Sequence, residues 1–166
     1  GKPEMKGNSY SEVMGRRNEI MKKALGLDYK EFEGKGLIFD YEGMMEKAGY
    51  SIEEIRKIQS ETSVGNTPLI ELKNLSAAAR KLAGPGKGAR IFIKDEACNP
   101  SGSFKARRAS VSCYYAKQKG YEGVIAATSG NYGAAVASQA NMRNLKCIIV
   151  QEVFDSRRVG QPEILE

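Results

Sequence analysis

Apolar positions in this chain follow two rhythms. Through roughly the first sixty residues they recur at helical intervals: Val13, Met14, Ile20, Met21 and Leu25 make a rough stripe that Gly26 closes, and Ile52, Ile55 and Ile58 make a second. Ser9 followed three residues later by Glu12, and Ser51 followed by Glu54, are capping-box patterns that start helices. Asp40 is placed to cap a short helix running through Met44 and Met45 to Gly49. Beyond Gly65, Asn66, Thr67 and Pro68, a strong turn signal, the rhythm changes. A short strand is expected over 69–72 and an Ala-rich helix over 76–83, broken by Gly84, Pro85, Gly86, Lys87 and Gly88. Then come a strand over 89–95, a loop over 97–103, a helix over 104–119, a strand over 123–127, a helix over 131–145 and a strand over 146–152. Strands alternating with helices of this length predict an α/β fold: a parallel sheet with flanking helices in three layers (α/β/α) over 63–166, preceded by a helical extension over 1–62.

The composition suits a soluble globular chain. Of 166 residues, 41% are hydrophobic, enough for a core, and 28% are charged, enough for a solvated surface. No apolar run is long enough to span a bilayer, and the first residues lack the apolar stretch of a signal peptide, so a cytoplasmic protein with no membrane partner is expected. A net charge of +6 raises the question of nucleic acid. The basic residues come in pairs (Arg16 with Arg17, Lys22 with Lys23, Arg107 with Arg108, Arg157 with Arg158) among acidic ones, so a solvated surface or a site for a small anion is expected, and no nucleic-acid partner. Three cysteines without CxxC spacing exclude a disulfide framework, and Cys147, in an apolar run, reads as a buried thiol. There is no histidine, which excludes histidine triads and histidine metal sites; no metal is expected.

In α/β sheets, ligands gather outside the carboxyl ends of the strands. Two loops occupy those ends. In the first, Asn99, Pro100, Ser101, Gly102, Ser103, Phe104 and Lys105, Ser103 reads as the N-cap, which places Lys105 in the first turn of a helix. A helix N-terminus is a poor place for a cation, and Arg107 and Arg108 add like charge, so the Lys105 pKa is expected to fall and the neutral amine to become a nucleophile. The same residues also describe a surface lysine that tolerates a poor position. In the second loop, Thr128, Ser129, Gly130 and Asn131, a strand end turns into a helix whose amides form an anion site. Gly133 and the alanines after it leave room for that helix to lie close on the sheet. An ordinary capped helix fits this loop equally well.

Three blocks in order resemble the fold type II pyridoxal-phosphate enzymes, the tryptophan-synthase β superfamily that includes threonine synthase and cysteine synthase. They are Gly65 to Leu69, Asn99 to Lys105, and Thr128 to Asn131. The resemblance implies pyridoxal 5'-phosphate as cofactor, with Lys105 as the catalytic Schiff-base residue and Asn131 at the cofactor's ring hydroxyl. It also implies that Thr128, Ser129, Gly130 and Asn131 bind the amino-acid carboxylate. Segments 16–21, 36–42 and 159–163 are similar to a thiolase branch of that superfamily. That branch implies acyl transfer between an amino acid and a coenzyme A thioester, a small partner subunit, and homo-oligomerisation. Ala106 and Arg108 depart from the usual threonine-synthase residues after the lysine. A β-elimination or β-replacement lyase and a non-catalytic anion-binding fragment remain open. The family's glycine-rich phosphate loop and its partner to the pyridine nitrogen have no match here. An N-terminal piece that alone binds cofactor weakly or not at all, and is alone inactive, is expected.

Overall fold

In the computed structural model, residues 9–151 are described, and the chain divides into two compact units between Ile55 and Arg56. The segment 159–163 and the Arg157–Arg158 pair lie outside the described residues.

In the first unit the caps form as their residue types require. The Ser9 hydroxyl accepts from the Glu12 N–H at 3.4 Å while the Glu12 carboxylate accepts from the Ser9 N–H at 3.1 Å, starting α1 (Tyr10–Gly15). The single stripe expected through Leu25 is two helices, because the chain breaks at Arg16 and restarts as α2 (Arg17–Leu25). Gly15, with the lowest helix propensity short of proline, marks the break. Gly26, at φ 73°, ends α2 in the left-handed conformation that glycine adopts at low cost. Asp40 caps α3 (Tyr41–Lys47) by accepting from the Gly43 N–H at 2.9 Å. Among the unit's described residues the buried apolar side chains are Leu27 and Phe32, and Phe32 and Tyr41 each pack on Phe39, with centroids 6.2 and 4.7 Å apart. The stripe residues Val13, Met14, Ile20 and Leu25 stay exposed.

Helix α4 (Ile52–Ser60) runs across the division, with Ile58 buried at its end. In the second unit, β1 (Leu69–Glu71) leads into α5 (Lys73–Ala83) and then β2 (Phe92–Lys94). Gly84, Gly86 and Gly88 all have positive φ, and a Cβ on Gly88 would lie 2.6 Å from the Arg80 Cα, so the bend folds tightly against α5. The chain returns beside β1, and β2 pairs with it antiparallel, Ile70 opposite Ile93. The expected parallel sheet therefore does not include β2.

The alternation after residue 104 is α6 (Lys105–Gln118), β3 (Gly123–Thr128), α7 (Asn131–Met142) and β4 (Lys146–Gln151). Here the right expectation is the parallel crossover: β3 and β4 pair in register from Gly123–Lys146 to Thr128–Gln151. Ala109, Cys113 and Ala116 of α6 and Ala135, Val136 and Ala140 of α7 pack with Ala126 and Leu145 into the core. Small side chains let the helices approach each other and the sheet. Val124, Cys147 and Ile149 face them, whereas Ile125, Ile148 and Val150 point the other way and are exposed. Among the described residues this is a mixed α/β structure of two small sheets, with helices on one face of the parallel pair rather than both. Cys113 is buried, and that burial pushes its thiol up to about 11; Cys147 is half-buried, so it is a core thiol only in part. No helix among the described residues is long and apolar enough to cross a membrane, and no group of side chains there could hold a metal.

Candidate active site

The lysine loop is shaped by two successive left-handed residues. Ser101 has φ 66° and Gly102 φ 74°, so the turn over Pro100–Gly102 reverses sharply, and the Gly102 N–H donates to the Asn99 carbonyl at 2.9 Å. Ser103 does not cap the helix by position, since Phe104 is the N-cap. Its hydroxyl nevertheless accepts from the Lys105 N–H at 3.3 Å, and Lys105 becomes the first residue of α6. Lys105 is half-buried; its Nζ lies 4.7 Å from the Phe104 ring centroid and makes no hydrogen bond among the described residues.

The two arginines beside Lys105 each have a partner of their own. Arg108 lies over the Tyr132 ring, 4.7 Å from its centroid, and so links the first turns of α6 and α7. Arg107 is neutralised by Glu96. Its Nε donates to Glu96 Oε2 at 2.7 Å and its Nη2 to Oε1 at 2.8 Å, the forked geometry of a bidentate pair.

Glu96 is a hub that sequence reasoning missed. Thr67 Oγ1 donates to Glu96 Oε1 at 2.8 Å and Asn99 Nδ2 donates to Oε2 at 2.6 Å, so four donors converge on one carboxylate. The Arg107 hydrogen bonds, with help from Thr67 and Asn99, hold the Glu96 carboxyl down at about 2. Asn99, itself buried, also accepts from the Gly65 N–H at 2.9 Å. The turn at 65–67 and the lysine loop are thus one structure. The available signal was a pair of carboxylates, Asp95 and Glu96, set among Lys94, Lys105, Arg107 and Arg108.

The second loop is built differently. Thr128 Oγ1 accepts from the N–H groups of Gly130 (3.0 Å) and Gly133 (2.9 Å) and donates to the Gly130 carbonyl at 3.1 Å. The hydroxyl is saturated by its own turn. Ser129 and Asn131 are exposed, and the Asn131 and Tyr132 N–H groups, first in α7, make no hydrogen bond among the described residues. Gly133 is packed so closely that a Cβ there would overlap Thr128 Cγ2 and lie 2.9 Å from Ile149 Cγ2. Helix α7 contacts both α6 and the turn over Pro100–Gly102, so the two loops come together, although β2 and β3 are not neighbours in a sheet.

Cys98 is exposed near the lysine loop. Its thiol lies 3.6 Å from Asp95 Oδ2, and desolvation together with the Asp95 charge pushes its pKa up, which makes it a poor nucleophile.

Comparison with known proteins bears on both loops. The family model "Pyridoxal-phosphate dependent enzyme" matches residues 61–163. The chain is 69% identical over 161 residues to the 2-amino-4-ketopentanoate thiolase beta subunit of Acetoanaerobium sticklandii, covering 97% of this chain and 34% of that one. It is 41% identical over 86 residues to a threonine synthase of a Bacillus species (52% of this chain, 22% of that one), and 35% identical over 106 residues to cysteine synthase B of Salmonella typhimurium (60% and 32%). It spans about a third of the length of the thiolase subunits it matches. The lysine loop, the turn that Glu96 ties to it and the Thr128–Asn131 loop all fall inside the matched span, and the chain belongs to the pyridoxal-phosphate dependent enzyme family.

Proposed function

We propose that this chain forms the lysine-bearing part of a pyridoxal-phosphate dependent thiolase, which converts 2-amino-4-oxopentanoate and coenzyme A to acetyl-CoA and alanine. The observation that carries the reading is 69% identity, over 97% of the chain, to a subunit named for that activity. The name of that relative includes "beta subunit", which supports a second, partner subunit here.

The residues present fit the cofactor. The Lys105 amine has no hydrogen-bond partner among the described residues, and the loop beside its own offers two free N–H groups and the exposed polar side chains of Ser129 and Asn131. Lys105 would hold the cofactor by condensing with its aldehyde, and Asn131 would meet the ring hydroxyl. When bound, pyridoxal phosphate supplies an electron sink for charge developing on the amino acid. Ser129, Asn131 and the first amides of α7 receive the substrate carboxylate, since the positive end of a helix favours an anion. Thr128 serves that site by shaping the turn and Gly130 through its backbone. The freed Lys105 amine takes the proton from the α-carbon and returns it. The three-layer sheet arrangement, with helices over the Ile125–Ile148 face as well, and the division of the chain into an extension and a catalytic region belong to the same proposal.

The test is turnover in the intact protein with its partner subunit. Lys105→Ala is expected to abolish coenzyme A-dependent formation of alanine, while retained activity overturns the assignment. A β-replacement or elimination reaction is the second reading, favoured by the 41% match to threonine synthase. It ranks lower because that match covers only 52% of the chain, and it requires activity on amino acids without coenzyme A.

A further inference from the structure

We infer that Glu96 is a positioning residue for Lys105: its carboxylate fastens both ends of the lysine loop and so fixes the direction in which the first turn of α6 presents the amine. The inference rests on the role proposed for Lys105.

The geometry is specific. Asn99 opens the loop and Arg107 follows the lysine, and both donate to the same oxygen, Glu96 Oε2, at 2.6 and 2.7 Å. The other oxygen accepts from Arg107 Nη2 and from Thr67, which lies 40 residues from Arg107 in sequence. Arg107 Nη2 also donates to Thr67 Oγ1 at 3.2 Å, closing the ring. Residues two apart on a helix point to nearly opposite sides. Arg107 therefore anchors the back of the turn and leaves Lys105 facing away from the anchor.

Only a carboxylate suits this place. All the groups that meet it are donors, and an ionised carboxylate offers acceptors alone. An amide would set its own N–H2 against Arg107 or Asn99 and leave a guanidinium without its counter-charge. The loop would keep its turn, held by the Asn99 and Gly102 backbone, but the helix start would lose its second attachment.

The test is the rate at which Lys105 captures the cofactor in the intact protein. Protein is mixed with pyridoxal phosphate and reduced with borohydride at timed intervals, and the adduct is located by peptide mass mapping. Thermal melting of the same samples is the folding control. Glu96→Gln is expected to slow capture at Lys105 by about tenfold, a loss equivalent to one charge-assisted contact. Glu96→Asp, which keeps the charge on a shorter arm, is expected to recover part of the rate. Thr67→Val, which removes a single donor, is expected to slow capture by roughly threefold and decides the matter if Glu96→Gln does not fold. Wild-type capture rates in both Glu96→Gln and Thr67→Val, or losses only in proportion to the loss of folded protein, overturn the inference. A wild-type protein that forms no adduct at Lys105 overturns instead the role proposed for the lysine, and the positioning role with it.

Discussion

The two loops that frame the candidate site are held by different physics. The lysine loop is tied by charge, with one carboxylate gathering donors from Thr67, Asn99 and Arg107. The Thr128–Asn131 loop is tied by a neutral hydroxyl and by a missing side chain, since Thr128 bonds its own turn and Gly133 admits no Cβ. The first arrangement is sensitive to pH and to charge; the second is sensitive to volume. Chemistry that needs a lysine held in one direction beside a turn with free amides is served by both.

The largest effect expected from breaking this contrast is steric. Alanine normally gains about 1 kcal/mol over glycine inside a helix. At Gly133 the sign should reverse, because Thr128 Cγ2 cannot yield without losing the hydroxyl's bonds, and overpacking costs about 1–3 kcal/mol. Chemical denaturation of Gly133→Ala checks this. Close behind is Thr128→Val, which leaves the Gly130 N–H unpaired at about 1–3 kcal/mol and the Gly133 N–H with the Gly130 carbonyl alone. Thr128→Ser keeps the hydroxyl and removes the methyl that Gly133→Ala strikes, so the double variant should be more stable than the sum of the single changes allows. Additivity would show that the clash is relieved elsewhere.

The electrostatic half of the contrast is read by pH. The Glu96 carboxyl lies at about 2 in the folded chain against an ordinary 4.5, so folding favours its ionised form. Its contribution is complete above about pH 4.5 and is lost as pH falls towards 2. The melting temperature of the wild type should drop more steeply across that window than that of Glu96→Gln, and parallel curves would contradict the charge-based account. The smallest effect expected is at Arg108→Ala, where a contact with the Tyr132 ring worth about 0.5–1 kcal/mol is removed from an exposed side chain.

Much of this was legible in the chain because the signals are local. Ser9, Asp40 and Gly26 do what their residue types do at helix ends. The β3–α7–β4 crossover follows from its period and length. Gly133 was readable as a close approach because a glycine followed by alanines early in a helix leaves room on that face. What could not be read was pairing across distance. Nothing near Phe92 or Ile93 says that β2 returns antiparallel to β1, since the reversal is made by the glycine bend and α5. The pairing of Arg107 with Glu96, 11 residues earlier, was not legible, because only the turn at Pro100–Gly102 brings the two together. The bonds of the Thr128 hydroxyl to Gly130 and Gly133 were not legible either, because a hydroxyl's partners are set by the fold of its own turn.

The most direct test of the central claim is chemical. Borohydride reduction of the intact protein with pyridoxal phosphate, followed by peptide mapping, should place a single stoichiometric adduct on Lys105. An adduct on another lysine, or none, would contradict the account.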